Sequence, residues 1–325
     1  MLELKYPLFD GERVWEGACV RVEDGMIASV TPCDPAACGD GFLLPGLIDA
    51  HTHMETASQV QAMLRHGLVA TCDVCASEAL VADSRELEIV SSAGMAMGMV
   101  MNPKGFVERA AENGARYIKV LLFSPLSIGK AALSGIVKAA HEKGLKVAVH
   151  ATEVATMRQA VDTGADVLLH VPMKEPLPEE LAETIGAKGI AVVPTLVMMG
   201  TFANSGKNGY KPEHFQNAEK AVRLLRKHGV TILCGTDANP GSFSPAVAYG
   251  SSLHRELGLL VQAGLTPVEA LSAATKINAE VFCICSGRIA AQMPASMVLV
   301  NGRPDQNITD ITRIQKLWIH GKPIF

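Results

Sequence analysis

The sequence predicts an α/β protein: a (β/α)8 TIM barrel with a small β-sandwich domain formed from both termini. A glycine-punctuated helix-to-strand joint recurs along the middle of the 325 residues, the apolar runs after the joints repeatedly end in polar residues, and both chain ends carry short strand-like pieces outside the repeat. The expected division is 1–41 with 287–325 for the β-domain and 42–286 for the barrel.

Taken in order, the first region offers VWEGACVRVEDGMIASV, broken by turn signals, as strands of the β-domain. FLLPGLID then reads as the first barrel strand. The joints follow in RHGLVATCDV, SAGMAMGMVM, ENGARYIKVLLF, EKGLKVAVHA, DTGADVLLHV, AKGIAVVPTLV and KHGVTILCGTD. Each glycine, from Gly67 through Gly94, Gly114, Gly144, Gly164 and Gly189 to Gly229, stands where a helix C-terminus needs a residue tolerant of positive φ. Seven joints after one leading strand give eight strands, and strands alternating with helices form parallel βαβ units. About eight units over roughly 240 residues is the size of a (β/α)8 barrel. HRELGLLVQAG and a helix opening at Thr266-Pro267-Val268-Glu269, a capping box, complete the frame and continue through ALSAATKINAEVF. SMVLVNGRP and LWIHGKPIF return to the β-domain. A doubly wound sheet competes, but the position where its glycine-rich phosphate loop would fall holds His51 and His53.

Composition narrows the function. With 48% hydrophobic, 19% charged and 5% aromatic residues and a net charge of −4, the chain has neither a disordered composition nor a basic footprint for nucleic acid or anionic membrane. The N-terminal segment mixes acids and bases among its apolar residues, unlike a signal peptide, and no stretch of about 18 residues is free of polar groups. The expectation is a cytoplasmic protein with a small-molecule substrate and no nucleic-acid or membrane partner. Eight cysteines are then expected to be reduced and largely buried. The pairs Cys72/Cys75 and Cys283/Cys285 are read as small core residues rather than a zinc or redox site.

In a barrel of this kind the active site lies at the C-terminal ends of the strands. His51 and His53 end strand one, Lys119 lies on strand four, His150 ends strand five, His170 strand six and Asp237 strand eight. Asp49 shares the alternation of His51 and His53 one step deeper, and is assigned to orienting a ligand histidine. The other histidines, His66, His141, His214, His228, His254 and His320, fall on helices, helix ends or the last strand and are read as surface or capping residues. Neutral imidazoles and carboxylates converging on one apolar rim suit zinc, manganese or iron. A bare ammonium at Lys119 beside cations is costly and tends to lose its proton.

The ordered set PGLIDAHTHM, YIKVL, VAVHATE, VLLHV and GTDA resembles the amidohydrolase superfamily, most closely its prolidase-like and imidazolonepropionase-like branches. The likeness spans nearly the whole chain and extends to LHRELGLLVQAGLTPVEALSAAT. It implies two divalent metal ions, with zinc the first expectation and Mn2+ or Fe2+ as alternatives. His51, His53 and Asp237 would bind one, His150 and His170 the other, and Lys119, carbamylated by CO2, would bridge them. It further implies a water shared by metals about 3.5 to 4 Å apart. Asp237 would pass a proton from that water to the leaving nitrogen, so that an amide or related C–N bond is hydrolysed. A homo-oligomer is a family-level expectation. QMPASMVLV departs from the acidic segment common near the family's C-terminus, and the short ETASQVQAMLRH after His53 leaves room for little more than one helix.

VHATE supplies an alternative, since H-x-x-E resembles the superfamily's mononuclear deaminases, with Glu153 as proton shuttle; an ordinary acid in a helix first turn is the bland reading. A non-catalytic binding protein on a vestigial barrel is the third. The segments MMGTFANSGKNGYKPEHF and ANPGSFSPAVAYGSS are expected to shape specificity, with Thr195 and Tyr210 as substrate contacts. Lys174 and Lys211 are candidates for a substrate carboxylate, as in a dipeptide or N-acyl amino acid.

Overall fold

The computed structural model describes all residues except 75, 124–126 and 243. Both chain ends meet in one seven-stranded sheet. Its strands are β1 (Leu2–Phe9), β2 (Val14–Glu23), β3 (Met26–Pro32) and β4 (Phe42–Pro45) from the start of the chain. The C-terminal strands β13 (Met297–Val300), β14 (Ile314–Ile319) and β15 (Lys322–Pro323) complete the order β15-β14-β13-β4-β1-β2-β3.

Between these ends strands and helices alternate. The order is β5 (Leu47–Thr52), α1 (Ala57–Arg65), β6 (Leu68–Asp73), α2 (Glu78–Asp83), β7 (Glu88–Ser91), β8 (Met95–Ala96), α3 (Pro103–Glu112), β9 (Tyr117–Leu122) and α4 (Lys130–Glu142). Then follow β10 (Lys146–Ala151), α5 (Val154–Thr163), β11 (Val167–Leu169), α6 (Glu179–Ala187), β12 (Ala191–Val193), α7 (Leu196–Ser205), α8 (Phe215–Lys227), α9 (Ser251–Gln262), α10 (Pro267–Ala273) and α11 (Lys276–Phe282). β5, β6 and β7 pair in parallel, as do β8 to β12 in order. Residues 231–238 lie between β12 and β5 without forming a regular strand. Leu233 N–H donates to Val192 at 2.8 Å, Ala50 N–H to Cys234 at 3.0 Å and Asp237 N–H to His51 at 2.8 Å. On the other side Arg116 N–H donates to Ser91 at 2.9 Å.

The parallel strands are buried on both faces, which explains their near-continuous apolar sequences. Ile118, Val120 and Leu122 of β9 join the large core under the helices, whereas Tyr117 joins a smaller cluster with Ala50, Ala70, Ala148 and Ala191. That second cluster draws residues from β5, β6, β7, β9, β10, β11 and β12, so it lies where these strands converge. Lys119, two residues beyond Tyr117, is therefore carried on the crowded inner side.

The structure corrects several expectations. FLLPGLID is two strands: Phe42–Pro45 pairs with β1 and β13, and only from Leu47 does the chain pair with β6. Gly46 makes the transfer, where a Cβ would lie 2.2 Å from a Val69 methyl. The third parallel strand is Glu88–Ser91, so Gly94 joins two strands instead of ending a helix. LELKYPLF is a full strand. The first part of the expected loop after β12 is α7, and the last helix breaks around Thr275 into α10 and α11. The Thr266 cap holds, with Thr266 N–H donating to Glu269 Oε2 at 2.7 Å and Glu269 N–H to Thr266 Oγ1 at 3.2 Å. Cys72 is buried, but Cys283 and Cys285 are exposed and so are not core residues; Cys75 lies outside the described residues. His254, read as a surface or capping residue, is buried within α9. Among the described residues no helix is long and apolar enough to cross a membrane.

Candidate metal centre

The C-terminal ends of the parallel strands bring the polar residues together. His51 ends β5, and its Nε2 lies 3.4 Å from Asp237 Oδ1 and 3.3 Å from Lys119 Nζ. His53 Nε2 reaches the same Asp237 oxygen at 3.0 Å. The His150 ring, at the end of β10, stands 4.4 Å from the His170 ring, which is 5.6 Å from that of His51. One ligand atom each from His51, His170 and Asp237 lies within 4.8 Å of the others. Six residues from four strands and the 231–238 segment thus share one space, and Lys119, His51 and His170 are each only 1% exposed.

Two properties distinguish this cluster from a satisfied polar core. His51 Nδ1 and His170 Nε2 are buried without a hydrogen-bond partner, although buried polar atoms are normally paired. Secondly, His170 at φ 76°, Thr195 at φ 50° and Asp237 at φ 59° occupy the left-handed region that side chains with a Cβ avoid. Such strain persists where the surroundings over-determine it, and it gathers at functional sites.

The electrostatics favour neutral imidazoles. Burial first, then the Lys119 charge and neighbouring rings, hold His51 well below the usual histidine range. Burial and His150 do the same for His170. His150 keeps some exposure, yet the protein around it and Lys119 push it down to about 3. A neutral imidazole offers the lone pair that a metal needs. An unpartnered buried Nε2 on His170, an adjacent His51 and a carboxylate within reach form a donor set suited to a divalent cation of the zinc type.

Residues behind the cluster fix its shape. His170 Nδ1 shares a 2.7 Å hydrogen bond with Thr195 Oγ1, which leaves Nε2 facing the site. Thr195, a substrate-contact candidate in the sequence, is thus the hydrogen-bond partner of His170. Its own position is held through α7, because Leu196 and Val197 N–H groups donate to the two oxygens of Glu256 at 2.8 and 2.7 Å. Glu256 has no exposure, and burial pushes it up to about 8 against the lowering effect of those two N–H groups. Asp49 also departs from expectation. It accepts from His51 N–H at 3.1 Å, Thr236 N–H at 3.0 Å and Thr236 Oγ1 at 2.7 Å, so it ties β5 to residues 231–238 rather than holding an imidazole. Register irregularities in β5 accompany that turn of its side chain, and burial pushes Asp49 up to about 7.

Around the mouth, Lys174 Nζ lies 4.7 Å above the Tyr210 ring, and burial pushes the Tyr210 hydroxyl up against a lowering influence of Thr152, two residues beyond His150. Glu153 is exposed at the N-cap of α5, where Thr156 Oγ1 donates to its carbonyl at 2.9 Å. Lys211 is exposed, and its backbone N–H donates to His214 Nδ1 at 3.1 Å; no described contact brings its ammonium to the cluster. Met97, Met99, Met101 and Phe123 are exposed large apolar side chains beyond β8 and β9, whose parallel register sends both departures to the same edge.

This fold is shared with solved hydrolase structures. A Xaa-Pro dipeptidase, solved with methionine bound in its active site, superposes with a TM-score of 0.84 over 99% of this chain and 98% of that one, at 18% identity. The Amidohydrolase family matches residues 42–324, and the chain belongs to that family. An imidazolonepropionase of Pseudoalteromonas atlantica is 25% identical over 210 residues, 63% of this chain and 46% of that relative. Another, of Pseudomonas paraeruginosa, is 29% identical over 155 residues, 48% of this chain and 33% of its own. The chain spans less than half the length of these curated relatives.

Proposed function

We propose that the protein is a metal-dependent amidohydrolase that cleaves an amide or related C–N bond of a small molecule by water. The observation that carries this reading is the convergence of His51, His170 and Asp237, with the buried Nε2 of His170 lacking a protein partner. In this reading the parallel strands and residues 231–238 close into a (β/α)8 barrel, and the terminal sheet forms the companion β-sandwich domain.

His51, His53 and Asp237 would hold one divalent ion and His150 with His170 a second, zinc being the first expectation. Bound there, the ions supply Lewis acidity that acidifies water and polarises the scissile carbonyl. Lys119 contributes as a carbamate: its deprotonated Nζ adds to CO2, and the proton displaced from nitrogen leaves to solvent. The product is an anion where a buried ammonium beside cations would be unstable. The Asp237 carboxylate accepts the proton of the attacking water and returns it to the nitrogen as the C–N bond breaks. With the Nε2 atoms of His51 and His53 beside its Oδ1, the Asp237 carboxylate faces the interior of the site. At the mouth, Lys174 and Tyr210 receive the carboxylate of a dipeptide or N-acyl amino acid, and the Met97–Met101 rim with Phe123 receives its apolar part.

Metal analysis together with hydrolysis of an amide panel tests the proposal. Purified protein should carry zinc-type metal, lose hydrolysis on chelation and regain it on addition of Zn2+. Lys119→Ala should lose on the order of 100-fold or more in kcat/KM, and Glu153→Gln should stay near wild type. Full activity in Lys119→Ala with loss in Glu153→Gln would replace this mechanism with a mononuclear deaminase. Metal-free, inert protein would leave a binding role.

A further inference from the structure

The small sheet holds a pair of thiols that the hydrolytic reading does not use. Cys33 and Cys38 flank a single 3-10 turn, Pro35–Ala37, and their Sγ atoms lie 3.7 Å apart. Both are partly exposed, so small solutes can reach them. The remaining described cysteines either are buried, as Cys19, Cys72 and Cys234 are, or lie on the exposed 283–285 segment.

The turn that sets this spacing is pinned from both sides. Cys33 N–H donates to the Gly17 carbonyl of β2 at 3.1 Å, and Gly39 N–H to the Lys5 carbonyl of β1 at 2.9 Å. Within the turn, Asp34 Oδ1 accepts from Ala36 N–H at 2.9 Å, and Ala37 and Cys38 N–H groups donate to the Asp34 and Pro35 carbonyls at 2.9 and 3.1 Å. Pro35 fixes one further φ angle. The sheet therefore holds the two sulfurs in contact instead of leaving the encounter to chance, and preorganisation of this kind raises the effective concentration of one thiol at the other.

We propose that Cys33 and Cys38 form a dithiol modification site that closes to an intramolecular disulfide by exchange with a low-molecular-weight disulfide of the glutathione class. The Cys33 thiolate attacks one sulfur of glutathione disulfide, forming a mixed disulfide and expelling one glutathione thiolate. The Cys38 thiolate then attacks the Cys33 sulfur, forms the Cys33–Cys38 bond and expels the second. Two electrons pass from the protein sulfurs to glutathione, and the two thiol protons go to the departing thiolates. The order of attack follows from the surroundings. Burial and the neighbouring Cys33 push the Cys38 thiol up, which leaves Cys33 as the first attacker. Once Cys33 is in a mixed disulfide it no longer carries the charge that opposes ionisation of Cys38, which eases the second step.

The chain offers a direct measurement. Cleavage after Arg and Lys releases residues 22–65 as one peptide containing only Cys33 and Cys38, and residues 277–288 as another containing Cys283 and Cys285. Intact folded protein is incubated with glutathione disulfide, its remaining thiols are alkylated, and both peptides are weighed. The expected result is peptide 22–65 without alkylation and about 2 Da lighter than its reduced form, restored by dithiothreitol. In Cys38→Ser the same peptide should instead retain glutathione on Cys33. A fully alkylated wild-type peptide, or one that keeps glutathione on either cysteine, would overturn the proposal.

Discussion

The two ends of the parallel strands both contain histidines, lysines and an aspartate, yet only one end has the marks of chemistry. At the N-terminal ends a cavity of about 420 Å³ is lined by His141, Lys146, Asp166 and Lys188. Its polar groups are ordinary: His141 Nε2 meets Asp166 Oδ2 at 2.9 Å, and Lys188 Nζ donates to the Val161 carbonyl at 2.9 Å. Away from the cluster, His254 is buried but its Nε2 meets the His66 carbonyl at 2.9 Å. At the C-terminal ends, His51 and His170 are buried with an unpartnered nitrogen each, on a backbone strained at three site residues. A concavity lined by charge is easily formed by solvated side chains. Buried donors kept without partners are costly, and a protein retains them where a ligand completes them.

The sharpest way to break this contrast is to remove what aims His170. Thr195→Val keeps the shape and the strained β-branched backbone but deletes the oxygen 2.7 Å from His170 Nδ1. Metal affinity, measured by chelator competition, should fall about 10- to 100-fold, and Thr195→Ser should restore most of it. Unchanged affinity in Thr195→Val would mean that the His170 orientation is set elsewhere.

His254 supplies a counterpart outside the cluster, with an effect on stability instead of function. Burial pushes it down to about 4 from an ordinary 6.5, against a raising contribution from the His66 carbonyl. Between those values the unfolded chain binds a proton that the native state does not, so stability falls as pH falls from 6.5 towards 4. The loss is on the order of 3 kcal/mol across the window. The stability difference between wild type and His254→Gln, followed by chemical denaturation at several pH values, should therefore move against wild type with acid, while kcat/KM at pH 8 stays close in the two proteins. A pH-independent difference would remove His254 from the account.

Much of the centre was legible because its chemistry sits at strand ends. His51, His53, Lys119, His150, His170 and Asp237 each follow or interrupt an apolar run, and the alternation of strands and helices carries them to one edge. What sequence reading missed acts across long separations. Glu256 grips residues 60 positions earlier, and Asp49 binds Thr236, 187 positions later. A faint signal existed for Glu256, which falls on the buried stripe of α9 with Leu253, Leu257 and Leu260, where a carboxylate needs a buried partner. No comparable signal marks the change of sheet at Gly46, because the residues on either side of it are apolar and both strands that it joins are fully buried. The charged, leucine-containing SRELEIVS reads as a helix by propensity alone, and its pairing with β6 overrides that preference.

The smallest expected effect belongs to the N-terminal cavity. Lys146→Ala and Lys188→Ala should each leave kcat/KM within about twofold of wild type, because the side chains stand at the end of the strands opposite the His51–Asp237 cluster, and no described contact joins them to it. Lys188→Ala also frees the Val161 carbonyl in the last turn of α5, a position where a cation offsets the helix's negative end. A loss of about 0.3 to 1 kcal/mol in unfolding free energy is expected for that variant, with the catalytic constants unmoved. A tenfold fall in kcat/KM from Lys146→Ala, at unchanged stability, would show that this end of the strands also takes part in the reaction and that buried, unpartnered donors alone do not locate it.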